Sequence, residues 1–130
     1  MYEATTSGIR VFVEPEFLED QSTPDEGYYF WAYTVKITNE TEASVRLKSR
    51  SWVITDADGR SENVRGPGVV GKMPRIQPGE SFTYTSGCPL ATPSGIMVGT
   101  YEMEDEDGAE FTVNVPAFSL DSKYTVRSVN

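Results

Sequence analysis

Apolar and polar residues alternate with period two along much of the chain, most clearly over residues 28–39, where Tyr29, Trp31, Tyr33, Val35 and Ile37 share one parity. Successive side chains of a strand point to opposite faces, so this segment presents one continuous face of the aromatic and β-branched residues that suit a pleated, half-buried surface. Helical periodicity is weak everywhere, and the fold class that follows is all-β. Residues 28–39 are expected at the centre of the core. Residues 8–18 carry the same alternation through Ile9, Val11 and Val13, up to Pro15, which lacks an N–H and so marks an edge or a bulge. Residues 21–27 read as a loop.

Further along, Val45 and Leu47 have the opposite parity to Trp52 and Ile54. One extra residue would return all four to one face, which predicts a β-bulge near Arg50-Ser51. Asp58-Gly59 closes a hairpin into a short strand over 61–65, a Gly and Pro segment spans 66–79, and strand character returns over 81–86, 96–103 and 110–120. About seven or more short antiparallel strands joined by Gly, Pro and Asp turns predict an immunoglobulin-like or fibronectin type III-like β-sandwich. The absence of a cysteine pair favours the second. At 130 residues the chain is one domain, 1–130, with an ordered core over about 8–120 and a loosely held tail over 121–130.

Charge narrows the function classes. The chain carries 11 Lys and Arg against 20 Asp and Glu, a net −9. Such a balance disfavours nucleic acid and anionic membrane surfaces, both of which need clustered cations. There is no histidine, which removes the usual base near neutral pH and the commonest nitrogen ligand of transition metals. A lone cysteine, Cys88, suits a reducing compartment. Residues 1–5 show no export signal, no apolar run is long enough to cross a bilayer, and a cytoplasmic location is expected. No catalytic residue, metal ligand or cofactor is assigned, since each candidate nucleophile lacks a histidine partner.

The acidic total hides one basic window. Residues 46–75 hold seven cations against three acids. Within it Gly66-Pro67-Gly68-Val69-Val70-Gly71-Lys72 fits both G-x-G-x-x-G and G-x-x-x-x-G-K. Those patterns aim backbone N–H groups at phosphate from a loop that opens a helix. Here Pro67 removes a donor, Met73 stands at the magnesium-binding position, and Pro74 and Pro78 prevent the helix. What remains is a candidate loop for an anion or an acidic partner made of Arg65, Gly66, Gly68, Val69, Val70, Gly71 and Lys72, against the alternative of a plain inter-sheet connection. Arg46, Lys48 and Arg50, spaced by two, would form a basic stripe beside it or protect an exposed strand. Asp56-Ala57-Asp58-Gly59 and the acids over 102–107 read as turns before they read as cation sites, and Cys88 as a buried small hydrophobe.

The ordered motifs Trp52-Val53-Ile54-Thr55-Asp56-Ala57-Asp58-Gly59, Gly66-Pro67-Gly68-Val69-Val70-Gly71, Pro78-Gly79-Glu80, Thr92-Pro93-Ser94-Gly95-Ile96-Met97-Val98-Gly99, Tyr101-Glu102-Met103 and Val115-Pro116-Ala117-Phe118-Ser119-Leu120 resemble the ApaG family, also called CorD, over nearly the whole chain. The resemblance implies a fibronectin type III-like sandwich, an association with cobalt tolerance and magnesium efflux in bacteria, a glycine motif discussed as a pyrophosphate site, and relatives in eukaryotes that look like protein-interaction modules. Two departures stand out. Where relatives often have histidines this chain has Val53 and Thr100, and where they commonly have an acid after the third glycine it has Lys72. The expectation is therefore a non-enzymatic cytosolic module with a protein partner, or alternatively a phosphate or pyrophosphate sensor using the loop 66–72.

Overall fold

In the computed structural model, which describes residues 2–125, nine strands form two antiparallel sheets. They are β1 (Tyr2–Thr6), β2 (Ile9–Phe17), β3 (Tyr29–Asn39), β4 (Val45–Asp56), β5 (Ser61–Pro67), β6 (Arg75–Ile76), β7 (Ser81–Leu90), β8 (Gly95–Asp105) and β9 (Glu110–Leu120). One sheet has the order β1-β2-β3-β7, the other β5-β4-β8-β9 with β6 also paired to β4. The all-β sandwich expected from the alternation is the fold. As its pattern requires, β3 is an interior strand whose Trp31, Val35 and Ile37 are fully buried.

The inward faces meet in one core. Trp52 stands edge-on to Tyr33 and to Phe118, with ring centroids 5.6 and 5.9 Å apart, an arrangement that matches the ring quadrupoles. Gly99 lies opposite Trp52 on β8, and a Cβ there would come within 2.5 Å of the indole. Pro15 is accommodated because, among the described residues, the ladder between β1 and β2 ends at Val13, two residues before it.

Four features depart from the sequence expectations. A first strand, β1, precedes residue 8; it buries no side chain fully and is held by its ladder to β2. The strand predicted over 81–86 runs on through Pro89 to Leu90, which an edge strand tolerates. The predicted bulge exists but sits at Lys48, between Leu47 and Ser49, not near Arg50-Ser51. Finally, the first residues of the predicted loose tail are tied down. Asp121 O accepts from Trp31 Nε1–H (2.8 Å), Ser122 Oγ donates to Pro93 O (2.7 Å), and Tyr124 packs against Phe17 and Tyr29. Residues 126–130 lie outside the described residues.

The bulge and the Gly-rich segment are one feature. Both β5 and β6 pair with the same edge of β4, β5 along 49–55 and β6 at 45–46. Between them the chain leaves the sheet, and its two ends dock beside Lys48: Gly68 N–H donates to Lys48 O (2.8 Å) and Leu47 N–H to Pro74 O (3.0 Å). The extra residue in β4 marks where its edge partner changes.

Candidate functional site

The candidate residues Arg65 to Lys72 fall at the end of β5 and in the loop that leads from it to β6. Arg65 and Gly66 lie within β5 just before its last residue, Pro67, and stand opposite Ser51 and Arg50. Gly68 has a positive φ of 59°, and a Cβ on it would lie 2.1 Å from Lys72 O, so the chain can cross itself here only at glycine. Val69 is fully buried and anchors the loop in the core. From it a tight turn projects, closed by Val69 N–H to Lys72 O (2.8 Å) and Lys72 N–H to Val69 O (2.9 Å). The two tip residues, Val70 and Gly71, both have positive φ, 43° and 79°. That is the two-residue turn that matches strand twist, and glycine or asparagine is its usual occupant. A β-branched valine is a backbone outlier there. Val70 is 50% exposed and Met73 46% exposed.

The turn therefore presents an apolar pair on a rigid stem. Arg65, Lys72 and Arg75 flank it in the chain and are all exposed; none has a carboxylate within 4.0 Å among the described residues, though Arg75 Nη1 donates to Ser44 Oγ (3.3 Å). Of the amides from Gly68 to Gly71, those of Gly68 and Val69 are already spent on the protein's own carbonyls. Only the two tip amides remain for a ligand.

The basic stripe is not formed as expected. Because the extra residue is Lys48, Arg46 and Lys48 stay on the outer face, where Lys48 Nζ lies 3.9 Å from Glu104, while Arg50 turns inward. Its Nη1 donates to Pro67 O (3.1 Å) and Gly68 O (3.0 Å), bracing the loop from beneath. This role was not legible from spacing, since parity alone says that a residue is extra, not which one. The Asp56 and Asp105 carboxylates are occupied as turn acceptors, each taking two backbone N–H groups at 2.9 and 3.0 Å, and Glu106 accepts from Ser44 N–H at 2.8 Å. Those Ser44 hydrogen bonds hold the Glu106 carboxyl below the usual carboxylate range. Cys88 is buried, and burial pushes its thiol up to about 11, so it is neutral and inert at physiological pH. No helix among the described residues is long and apolar enough to cross a membrane.

The fold and this loop define a small antiparallel sandwich that carries a braced, glycine-dependent turn on one sheet edge. Residues 19–105 match the family model described as the ApaG domain. Over all 130 residues, and the full length of each relative, the chain is 56% identical to Protein ApaG of Parvibaculum lavamentivorans and 55% identical to Protein ApaG of Paramagnetospirillum magneticum. A crystal structure of an ApaA protein from Bordetella pertussis superposes with a TM-score of 0.87 at 46% identity, covering 90% of this chain and 95% of that one. The chain belongs to the ApaG family.

Proposed function

We propose that this chain is a non-enzymatic, cytoplasmic interaction module that binds an acidic segment of a partner protein through the turn at Val70 and its ring of cations. The observation that carries this reading is Val70 itself. A valine at positive φ is strained, and half of its surface is left exposed to solvent. Strain of this kind persists where surrounding structure imposes it, and it concentrates at binding sites. Here the imposing structure is the buried Val69, the Gly68 crossing and the Arg50 brace. The cations Arg65, Lys72 and Arg75 give the apolar tip an electrostatic preference on a surface otherwise acidic. On this reading the family's cobalt and magnesium phenotypes act through that partner.

The alternative, a pyrophosphate sensor, draws support only from the two free tip amides beside Lys72, fewer donors than an anion nest uses. Affinity capture with the tagged chain, compared with Lys72→Glu, Arg65→Glu and Val70→Asp, separates the two. The interaction reading expects specific partners from the native chain, lost in all three variants and weakened by salt. Recovery of the same proteins from all four chains would refute it. Saturable pyrophosphate shifts confined to residues 65–75 would favour the sensor.

A further inference from the structure

The sandwich is sealed along one side, where β9 meets the first sheet: Asn114 N–H donates to Thr6 Oγ1 (3.2 Å) and Ser119 N–H to the Tyr2 hydroxyl (3.3 Å). The opposite side, between the outer strands β7 and β5, stays open. A cleft of about 270 Å³ lies there, floored by Trp52, Ile54, Val64 and Met97 and walled by Tyr33 and Arg50. A small residue at one inward lining position, Ser86, leaves room for it, and a glycine, Gly66, makes room for the Arg50 that walls it. Ser86 stands between the inward Tyr84 and Cys88 on β7, and Gly66 lies opposite Arg50 on β5. The Arg50 guanidinium occupies the space a side chain on Gly66 would need, since a Cβ there would be 3.0 Å from Nη1.

Two residues that line this cleft have donors that the described residues leave unfilled. Arg50 spends Nη1 on the loop carbonyls, and among the described residues no carboxylate comes within 4.0 Å of it. Trp52 is 3% exposed, and its buried Nε1–H has no acceptor among the described residues. A buried donor left unmade is costly, and it recurs at sites that a ligand completes. Arg50 is also the positive charge that partly offsets burial at Tyr33, Tyr84 and Tyr101.

We propose that this cleft binds a small monocarboxylate with a flat apolar body, its carboxylate on the free edge of the Arg50 guanidinium and its body on Trp52 and Met97. A guanidinium edge offers two parallel donors that match one carboxylate. With a single cation inside and Glu62 at the rim, a di- or polyphosphate would remain under-neutralised. The volume admits a ring with one substituent and is below that of drug-sized sites. The neutral Cys88 thiol adds apolar wall. The site shares Arg50 with the brace under the Val70 turn but not the turn's exposed face, so benzoate binding read at Trp52 and partner capture read with Val70, Lys72 and Arg65 variants can fail independently.

Benzoate serves as the probe, with benzamide and pyrophosphate as controls, read by nuclear magnetic resonance on the full ¹⁵N-labelled chain. The two tryptophans make the readout specific, because Trp31 Nε1–H is already bonded to Asp121 O and Trp52 Nε1–H is free. Benzoate is expected to shift the Trp52 indole resonance saturably, with a dissociation constant of about 1 mM for a fragment of this size. Benzamide should bind about tenfold more weakly or worse, having lost the charge-assisted pair. Ser86→Leu fills the cleft without touching the loop and should abolish the shift, as should Arg50→Met, which removes the donor together with its brace on Pro67 and Gly68. No shift of Trp52 at about 10 mM benzoate would overturn the proposal. So would equal shifts with benzamide or pyrophosphate, or benzoate shifts that persist in either folded variant.

Discussion

Tyr84 of β7 and Tyr101 of β8 join the two sheets through a hydrogen bond between their hydroxyls, in the interior where both rings are buried. Burial raises both phenols well above the usual tyrosine range, so the link is between neutral hydroxyls. Removing one hydroxyl leaves the other buried without its partner, which costs about 1–3 kcal/mol. Tyr84→Phe and Tyr101→Phe are each expected to destabilise by about that amount in urea unfolding. The double variant leaves no orphan, and should therefore fall short of the sum by about 1 kcal/mol or more. Strict additivity would show that the hydroxyls do not depend on each other.

Asn39 ends β3 at the crossover to the second sheet and is fully buried. Its amide donates to Ala43 O (2.8 Å) and Ile76 O (3.0 Å), while its carbonyl oxygen accepts from Thr41 N–H (2.9 Å) and Thr41 Oγ1 (2.7 Å). Every polar valence is filled, and Asn39-Glu40-Thr41, for all its likeness to a glycosylation sequon, is a plug. Asn39→Ala is expected to cost about 3 kcal/mol in chemical denaturation, the upper range for stranding buried groups. Asn39→Asp would set a carboxylate against two carbonyl oxygens and raise its folded-state pKa. Its deficit should shrink as pH falls from that raised value toward about 4, the value of the unfolded chain. A cost under about 0.5 kcal/mol for Asn39→Ala would contradict the plug.

How much of this was legible in the sequence depends on where the physical constraint lay. The strand β3 was readable because its constraint is burial of one face, and burial writes a period of two. The strand β1 was not, because Tyr2, Ala4 and Thr6 are only half-buried, and its ladder to β2 and the contacts of Tyr2 and Thr6 with β9 leave no strong apolar alternation. Parity announced an extra residue between Leu47 and Trp52 but placed it two residues late. Its position is set by the carbonyl of Lys48 receiving Gly68, a contact 20 residues away in sequence. The same slip hid Arg50, which a strict alternation sends outward with Arg46. At the loop, the glycines announced positive φ, while the internal hydrogen bonds that spend two of its amides were invisible.

Cys88 gives the fold an alkaline limit. Its thiol is pushed up to about 11 by burial, above its ordinary value. In the unfolded chain the thiol ionises near pH 8.5, so above that pH the unfolded state holds fewer protons than the folded one. Stability from this group is full below about pH 8.5 and declines as pH rises toward 11. The tyrosines add to the decline above about pH 10, their unfolded value. The melting temperature is expected to fall steadily over this window, and Cys88→Ala should flatten its first part. Rapid labelling of the native thiol at pH 8 by a maleimide would show that Cys88 is accessible and would remove the basis of this expectation.

Val70 separates stability from binding. At φ 43° a β-branched side chain is strained, and glycine at the same position is not. Val70→Gly is therefore expected to stabilise the chain, by about 0.5–1 kcal/mol after the entropy that glycine returns to the unfolded state. Val70→Asn should do at least as well, since asparagine tolerates the left-handed region without that loss. Gly68→Ala supplies the opposite case on the same loop. Its Cβ meets the backbone carbonyl of Lys72, which no rotamer change relieves, and a loss of about 2 kcal/mol or more is expected in thermal or urea unfolding. If the turn is a binding element, Val70→Gly and Val70→Asn will raise stability while weakening partner capture. If both leave stability unchanged or lower it, the valine is not strained, and its position at the tip is no longer evidence of function.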